Sequence, residues 1–339
     1  MELYDYQRID KEIAYNYRRI LFLPSLQPVN SNREKEKLFK DRTYSPQLKY
    51  KAPDKSLVKL RQNLMKIRTD TSVIGQLFNQ RRKELLTQID LLMNVGKPSI
   101  TKYSMELYGQ PSKDTVRKAT RLLDLESEKE TTIYSKLSVV KKFLDSLLTK
   151  GLNWRVIERD MVAAAAFNVS EKILYINTGR KFSDHDLKRL VVHEIGTHVT
   201  RAENGRKQKY NLFYLGFPGY AMTEEGLAVY NEDRSGLLSN EVLKKYAGRV
   251  VAVDLALKNS FSTVYNYLLE FFDKEDAWTL ALRVKRGISN TSRPGAFTKD
   301  HIYLSGFYLI KDFVRKGGNL KSLYVGKIGV QHVPYLKKL

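Results

Sequence analysis

Apolar positions recur with a helical period through the first half of the chain. SLVKLRQNLMKI (56–67), VIGQLFNQRRKELLTQIDLLMN (73–94) and TIYSKLSVVKKFLDSLL (132–148) each set hydrophobic residues three and four apart, on one face of a helix. Gly96-Lys97-Pro98 and Gly109-Gln110-Pro111 punctuate these segments as helix ends do. Before them LPSLQPVNSN (23–32) reads as a loop, followed by the charged stretch REKEK. The period changes near residue 155, where RVIERDMVAAAAFNVSEKILYINTG forms two short apolar runs about a polar turn, a β-hairpin with LYIN (174–177) as its second strand. Helical patterning resumes at Ser183 and, apart from loops at Pro218 and Pro294, runs to the end. The expected fold is α+β and predominantly helical, with the small β element directly before a helix at 183–204. The expected division is a helical region over 1–150 and a second domain over 151–339.

That helix carries candidate chemistry. In FSDHDLKRL, Ser183 caps with Asp186 three residues on, and Asn204-Gly205 supplies a stop. Leu187, Leu190 and Val191 form an apolar stripe, and VVHEIGTHVT follows at 191–200. Two histidines with a glutamate after the first suggest a zinc-hydrolase helix, but His193 and His198 are five residues apart. Residues four apart on an α-helix differ by about 40° around the axis, and residues five apart by about 140°. Both imidazoles reach one ion only if a wider i→i+5 turn lies between them, and Gly196 tolerates such a distortion. The ordinary alternative is a pair of hydrogen-bonded core histidines.

With no cysteine in 339 residues, a third ligand must be His, Asp or Glu. TEEGLAVYNE (223–232) offers Glu224 or Glu225, which point about 100° apart and so do not both bind. The ordinary alternative is a Thr cap followed by two acids that favour a helix start. Two imidazoles and one carboxylate leave an open position on Zn²⁺, and Glu194 is then available as a general base.

Composition adds a partner question. The formal charge is +22, with 30 Lys+Arg against 18 Asp+Glu in residues 1–150 and 29 against 19 in the rest. The excess is spread along the chain, which fits either a solvated surface or an acidic partner such as a protein tail or nucleic acid. No signal-like stretch opens the chain, and MVAAAAF (161–167) is far short of a spanning helix, so the expectation is a soluble cytoplasmic protein with no membrane partner.

HEIGTH, then Arg201, Asn204, Gly205 and Gln208 in the pattern R-x-x-N-G-x-x-Q, then EEGLA-x-Y, RVKRG (283–287) and GAFTKDHIYLSG (295–306), resemble the QEGLA-motif proteins. That family includes the microtubule-associated tyrosine carboxypeptidases and bacterial-type members. The resemblance is firm over roughly 160–310. It implies a zincin-like metallopeptidase core holding one Zn²⁺ per chain on His193, His198 and Glu225, with Glu194 as base. Glu224 stands where the family has glutamine, which adds charge beside the metal and bears on substrate choice; Lys209 stands in place of a proline. The implied activity is a carboxypeptidase that removes a C-terminal residue, tyrosine or another aromatic, from a peptide or acidic tail. Such an enzyme needs a cation for the terminal carboxylate, and Arg201, Arg293 and Lys299 are candidates, Lys299 with the best motif support. Tyr303 or Tyr230 is a candidate oxyanion donor, with core packing as the alternative role. LYIN is a candidate strand for pairing with substrate backbone. The competing expectation is a basic regulatory protein, acting on nucleic acid, with a structural or vestigial metal site. No helix-turn-helix, zinc-finger or RRM signature supports it.

Overall fold

The computed structural model describes residues 5–126, 136–159, 161, 165–177, 179 and 181–338. Residues 132–135 of the third helical pattern and 162–164 of the apolar run lie outside them. The fold is α+β and mostly helical with one three-stranded sheet. Along the chain the elements that matter below are α1 (Val73–Met93), α2 (Lys136–Thr149), β1 (Arg155–Arg159), β2 (Ala165–Asn168) and β3 (Ile173–Asn177). Then come α3 (Asp184–Leu190), a π-helical segment (Val191–Val199), α4 (Thr200–Arg206), α5 (Ala221–Arg234), α6 (Asn240–Ala256), α7 (Lys274–Lys285) and α8 (Ile302–Arg315).

The helical periods at 56–67 and 73–94 became helices at Ser56–Lys66 and α1. Ser72 caps α1 by accepting from the Gly75 N–H at 3.1 Å. The expected loop at 23–32 contains one helical turn, Phe22–Ser25, and the charged stretch after it lies in a helix, Ser31–Lys40. The expected hairpin is a three-stranded sheet instead. AAFN and ILYIN form the hairpin, antiparallel from Ala165↔Ile176 to Asn168↔Ile173. RVIER is a third strand, parallel to β3 from Arg155↔Ile173 to Arg159↔Asn177. The order β1-β3-β2 puts LYIN in the centre with both edges occupied, so it has no backbone groups to offer a substrate.

The chain forms two compact units that do not follow a division at residue 150. Residues 1–125 group with 244–305 and 338–339, and residues 126–243 group with 306–337. The first unit is built on a core that includes Leu38, Val253, Phe261, Val264, Trp278 and Leu282. At the end of α7, Lys285 is fully buried, and its Nζ donates to the carbonyls of Ala256 (3.1 Å), Asn259 (2.6 Å) and Arg293 (2.9 Å). Burial pushes this amine down to about 7.

In the second unit Leu227, Ile310 and Leu323 form a core cluster with Tyr230 packed against it. There α5 crosses the Gly306–Arg315 part of α8 backbone to backbone. A Cβ on Gly226 would sit 2.1 Å from the Gly306 carbonyl carbon, and one on Gly306 would sit 2.1 Å from Met222 O. Only glycine at both positions permits that approach, which sets the place of the two glutamates that precede Gly226.

Candidate metal centre

The histidine helix starts as its sequence predicts: Ser183 Oγ accepts from the Asp186 N–H at 3.0 Å. The wide turn is present, but it extends over nine residues, Val191–Val199, where one turn was expected. The Thr200 N–H donates to Ile195 C=O, five residues back. Side chains brace the widened coil. The hydroxyls of Thr197 and Thr200 donate to Val192 O (3.2 Å) and Ile195 O (2.7 Å), and the Tyr324 hydroxyl donates to Gly196 O (3.4 Å). Asn231 on α5 donates to Thr197 Oγ1 and to the Tyr324 hydroxyl, both at 2.8 Å. Gly196 is not what makes room, because a Cβ there would meet Val191 O at an ordinary 3.8 Å. Nor does Asn204-Gly205 end the helix, which runs on to Arg206. Asn204 instead donates from its side chain to Tyr324 O at 2.9 Å.

In this coil a residue five along returns to the same face. The rings of His193 and His198 lie 4.9 Å apart at 78°. Each imidazole uses Nδ1 on a carboxylate of α5: His193 on Glu232 at 2.7 Å, His198 on Glu224 at 2.9 Å. The Nε2 atoms turn toward one oxygen of Glu225, 3.7 Å from His193 and 3.5 Å from His198. One donor atom from each of the three residues lies within 4.8 Å of the others. A tetrahedral zinc ion with bonds of about 2.0–2.1 Å separates its ligands by about 3.3–3.5 Å, so this donor set fits one.

The surrounding charge is arranged for a cation. Glu232 also accepts from Arg189 Nη1 at 3.0 Å. Glu224 is shared by His198, by Arg201 through Nη1, and by Lys327 Nζ at 3.2 Å. Burial acts against the charge of Glu224, and Lys327, Arg201 and His198 overcome it, lowering the carboxyl to about 2. Glu232 is likewise lowered, burial being outweighed by Arg189 and His193. Burial disfavours charge on both imidazoles too, yet the carboxylates of Glu225 and Glu232 raise His193 well above its usual value, and those of Glu224 and Glu225 raise His198. The carboxylates around the two imidazoles thus favour positive charge there, whether a proton or a metal ion.

Glu194 is buried on the same coil, and its Oε2 has no hydrogen-bond partner among the described residues. An orphaned buried carboxylate oxygen is costly unless something else uses it. Phe167 of β2 stacks on His198 at 4.8 Å, with Lys327 Nζ 4.3 Å from the same ring's centroid.

The other candidate residues are placed as follows among the described residues. Arg201 is fully buried; its Nε donates to Leu323 O (2.8 Å) and Gly326 O (3.1 Å), its Nη2 to Ile328 O (2.6 Å) and its Nη1 to Glu224. It pins the 323–328 segment and is not placed to hold a substrate carboxylate. Glu224, expected to bear on substrate, is buried with both oxygens engaged, and it holds His198. Arg293, Lys299 and Tyr303 belong to the first unit, where Arg293 is exposed and Tyr303 stacks on Tyr246 at 5.6 Å. Sequence reasoning did not single out Glu232, Arg189 or Lys327. Glu232 alone carried a signal, lying two turns beyond Glu225 on the same helix face.

Residues 36–339 match the family described as microtubule-associated tyrosine carboxypeptidase. The mouse protein MATCAP2 is 26% identical over 343 residues, covering 95% of this chain and 57% of that protein. Human microtubule-associated tyrosine carboxypeptidase 1 is 28% identical over 325 residues, covering 93% of this chain and 61% of that protein. The mouse protein of the same name is 27% identical over 298 residues, covering 85% and 56%. The chain thus spans about three-fifths of the length of these relatives. It belongs to the microtubule-associated tyrosine carboxypeptidase family.

Proposed function

We propose that the chain is a zinc-dependent carboxypeptidase that removes a C-terminal residue, tyrosine or another aromatic, from a peptide or an acidic protein tail. The observation that carries this reading is the convergence of His193 Nε2, His198 Nε2 and a Glu225 oxygen beside a buried, unpartnered carboxylate, Glu194. Names borne by the relatives in the same family support the reaction class.

On this reading His193, His198 and Glu225 would hold the ion, which when bound supplies Lewis acidity toward water and the scissile carbonyl. Glu232 and Glu224 fix each ring by its Nδ1–H and turn Nε2 inward, the carboxylate–histidine arrangement that orients metal ligands. Arg189, Arg201 and Lys327 keep those two carboxylates ionised and in place. Glu194 takes a proton from the attacking water and delivers it to the leaving amine; its free oxygen is the acceptor this needs. β2 carries Phe167 against His198 and is an outer strand of the sheet, so it takes over the substrate-pairing role expected of LYIN. The basic charge of the chain favours encounter with an acidic tail.

The test is a peptide library with varied C-terminal residues, followed by mass spectrometry. Wild-type protein is expected to shorten peptides ending in an aromatic residue by one residue, and Glu194→Gln is expected to leave them intact while keeping its zinc. Equal behaviour of the two proteins contradicts the proposal.

A further inference from the structure

Three arginines of the first unit surround one aspartate. Arg283 grips Asp300 with two nitrogens, Nε on Oδ2 and Nη2 on Oδ1 at 3.0 Å. Arg286 Nη2 reaches Oδ1 at a long 3.4 Å, and Arg249 acts on Asp300 through its charge alone. Burial works against charge on Asp300, and the three guanidiniums overcome it, so the carboxyl stays ionised. Burial lowers Arg286 from its usual high value, with Asp300 opposing the shift. His301 adds no charge: burial pushes it down, its Nε2–H donates to Tyr108 O at 2.8 Å, and its Nδ1 accepts from Ser305. Three positive charges thus face one negative charge.

Two donors are left over. The Nε atoms of Arg249 and Arg286 are buried and have no hydrogen-bond partner among the described residues. Aromatic faces hold both guanidinium planes: Tyr303 lies 4.3 Å from Arg249, and Phe297 lies 4.6 Å from Arg286. A ring under each plane leaves the N–H edges as the place where a planar anion can bind. Arg249 and Arg286 are half-buried, and guanidiniums drawn out of water in excess of their carboxylate are costly unless an anion joins them.

We infer that Arg249 and Arg286 form a binding site for a carboxylate-bearing ligand, with the Arg283–Asp300 pair as its fixed base. The inference rests on the first unit alone and stands independently of the metal reading.

Isothermal titration of the full chain tests it, with and without chelator present. The probes are N-acetyl-tyrosine (an α-carboxylate), N-acetyl-glutamic acid α-amide (a side-chain carboxylate) and N-acetyl-tyrosinamide (neither). At least one carboxylate probe is expected to bind tenfold or more tighter than the tyrosinamide, chelator or not, and the tighter of the two identifies the source of the group. Arg249→Met and Arg286→Met are each expected to weaken that probe at least tenfold without changing tyrosinamide binding. Arg286→Lys keeps the charge but loses the fork, so it gives the same loss in a milder variant should a methionine variant not fold. Equal affinity for all three probes overturns the inference, as does unchanged carboxylate affinity in folded variants of both arginines.

Discussion

The histidine pocket of the second unit and the arginine cluster of the first solve the same problem with opposite sign. In the pocket four glutamates (194, 224, 225 and 232) face Arg189, Arg201 and Lys327, and the neighbouring carboxylates raise both imidazoles against the effect of burial. In the cluster three arginines face Asp300 alone. Buried charge is tolerated at both places, and each includes a buried polar atom with no hydrogen-bond partner among the described residues, Glu194 Oε2 in one and the Nε atoms of Arg249 and Arg286 in the other. The two proposals follow the sign of that charge, a cation for the pocket and an anion for the cluster. The histidines make the pocket adjustable, since an imidazole can exchange its proton for a metal ion. Guanidiniums have no such freedom.

The strongest way to break this comparison is to remove a donor from the pocket. His193→Ala is expected to abolish zinc binding while circular dichroism stays near wild type, as read by metal analysis after gel filtration. Glu194→Gln removes the orphaned oxygen without touching a donor, and kcat is expected to fall by about 10²–10⁴-fold with zinc content unchanged. Glu224→Gln leaves Arg201 and Lys327 without their carboxylate and loosens His198. It is expected to weaken zinc by about 10–100-fold in chelator competition. Retention of wild-type affinity would mean that Glu224 does not orient the ligand.

The pH dependence sharpens the contrast. Both histidines are raised in the folded protein, so their ion pairs stabilise it fully below the unfolded value near 6.5 and are lost as pH rises through the raised values. Glu224 and Glu232 are lowered, so their contribution is present above the unfolded 4.5 and disappears as pH falls through the folded values, about 2 for Glu224. Lys285, lowered to about 7, adds an opposite slope that does not depend on metal, so the pH 6 melting temperature is expected to gain on the pH 9 one in chelator-treated protein relative to zinc-loaded protein. The smallest effect belongs to Gly196→Ala, which should shift stability by no more than about 1 kcal/mol in urea unfolding, because its Cβ meets only an ordinary contact.

Local features were legible in the sequence to the extent that their causes are local. Two imidazoles five residues apart reach a common point only across an i→i+5 coil, and the coil is there. Its length was not readable, because Tyr324 and Asn231, which brace it, come from distant segments. Ser183 announced the helix start by its own capping geometry. The partner of each Nδ1 depends on how α5 packs against the coil, and that packing rests on Gly226 meeting Gly306, a contact no period reveals. The parallel pairing of β1 with β3 is not legible in the sequence, because period-two patterning carries no information on which neighbour a strand takes. The grouping of 244–305 with the N-terminal helices is likewise a matter of long-range contact.

The most direct test is elemental analysis of the purified wild-type chain beside His193→Ala and Glu225→Gln. The account predicts about one zinc per wild-type chain, none on His193→Ala and a marked loss on Glu225→Gln. A wild-type protein that takes up no metal from zinc-containing buffer, or variants that hold it as well as wild type does, would contradict it.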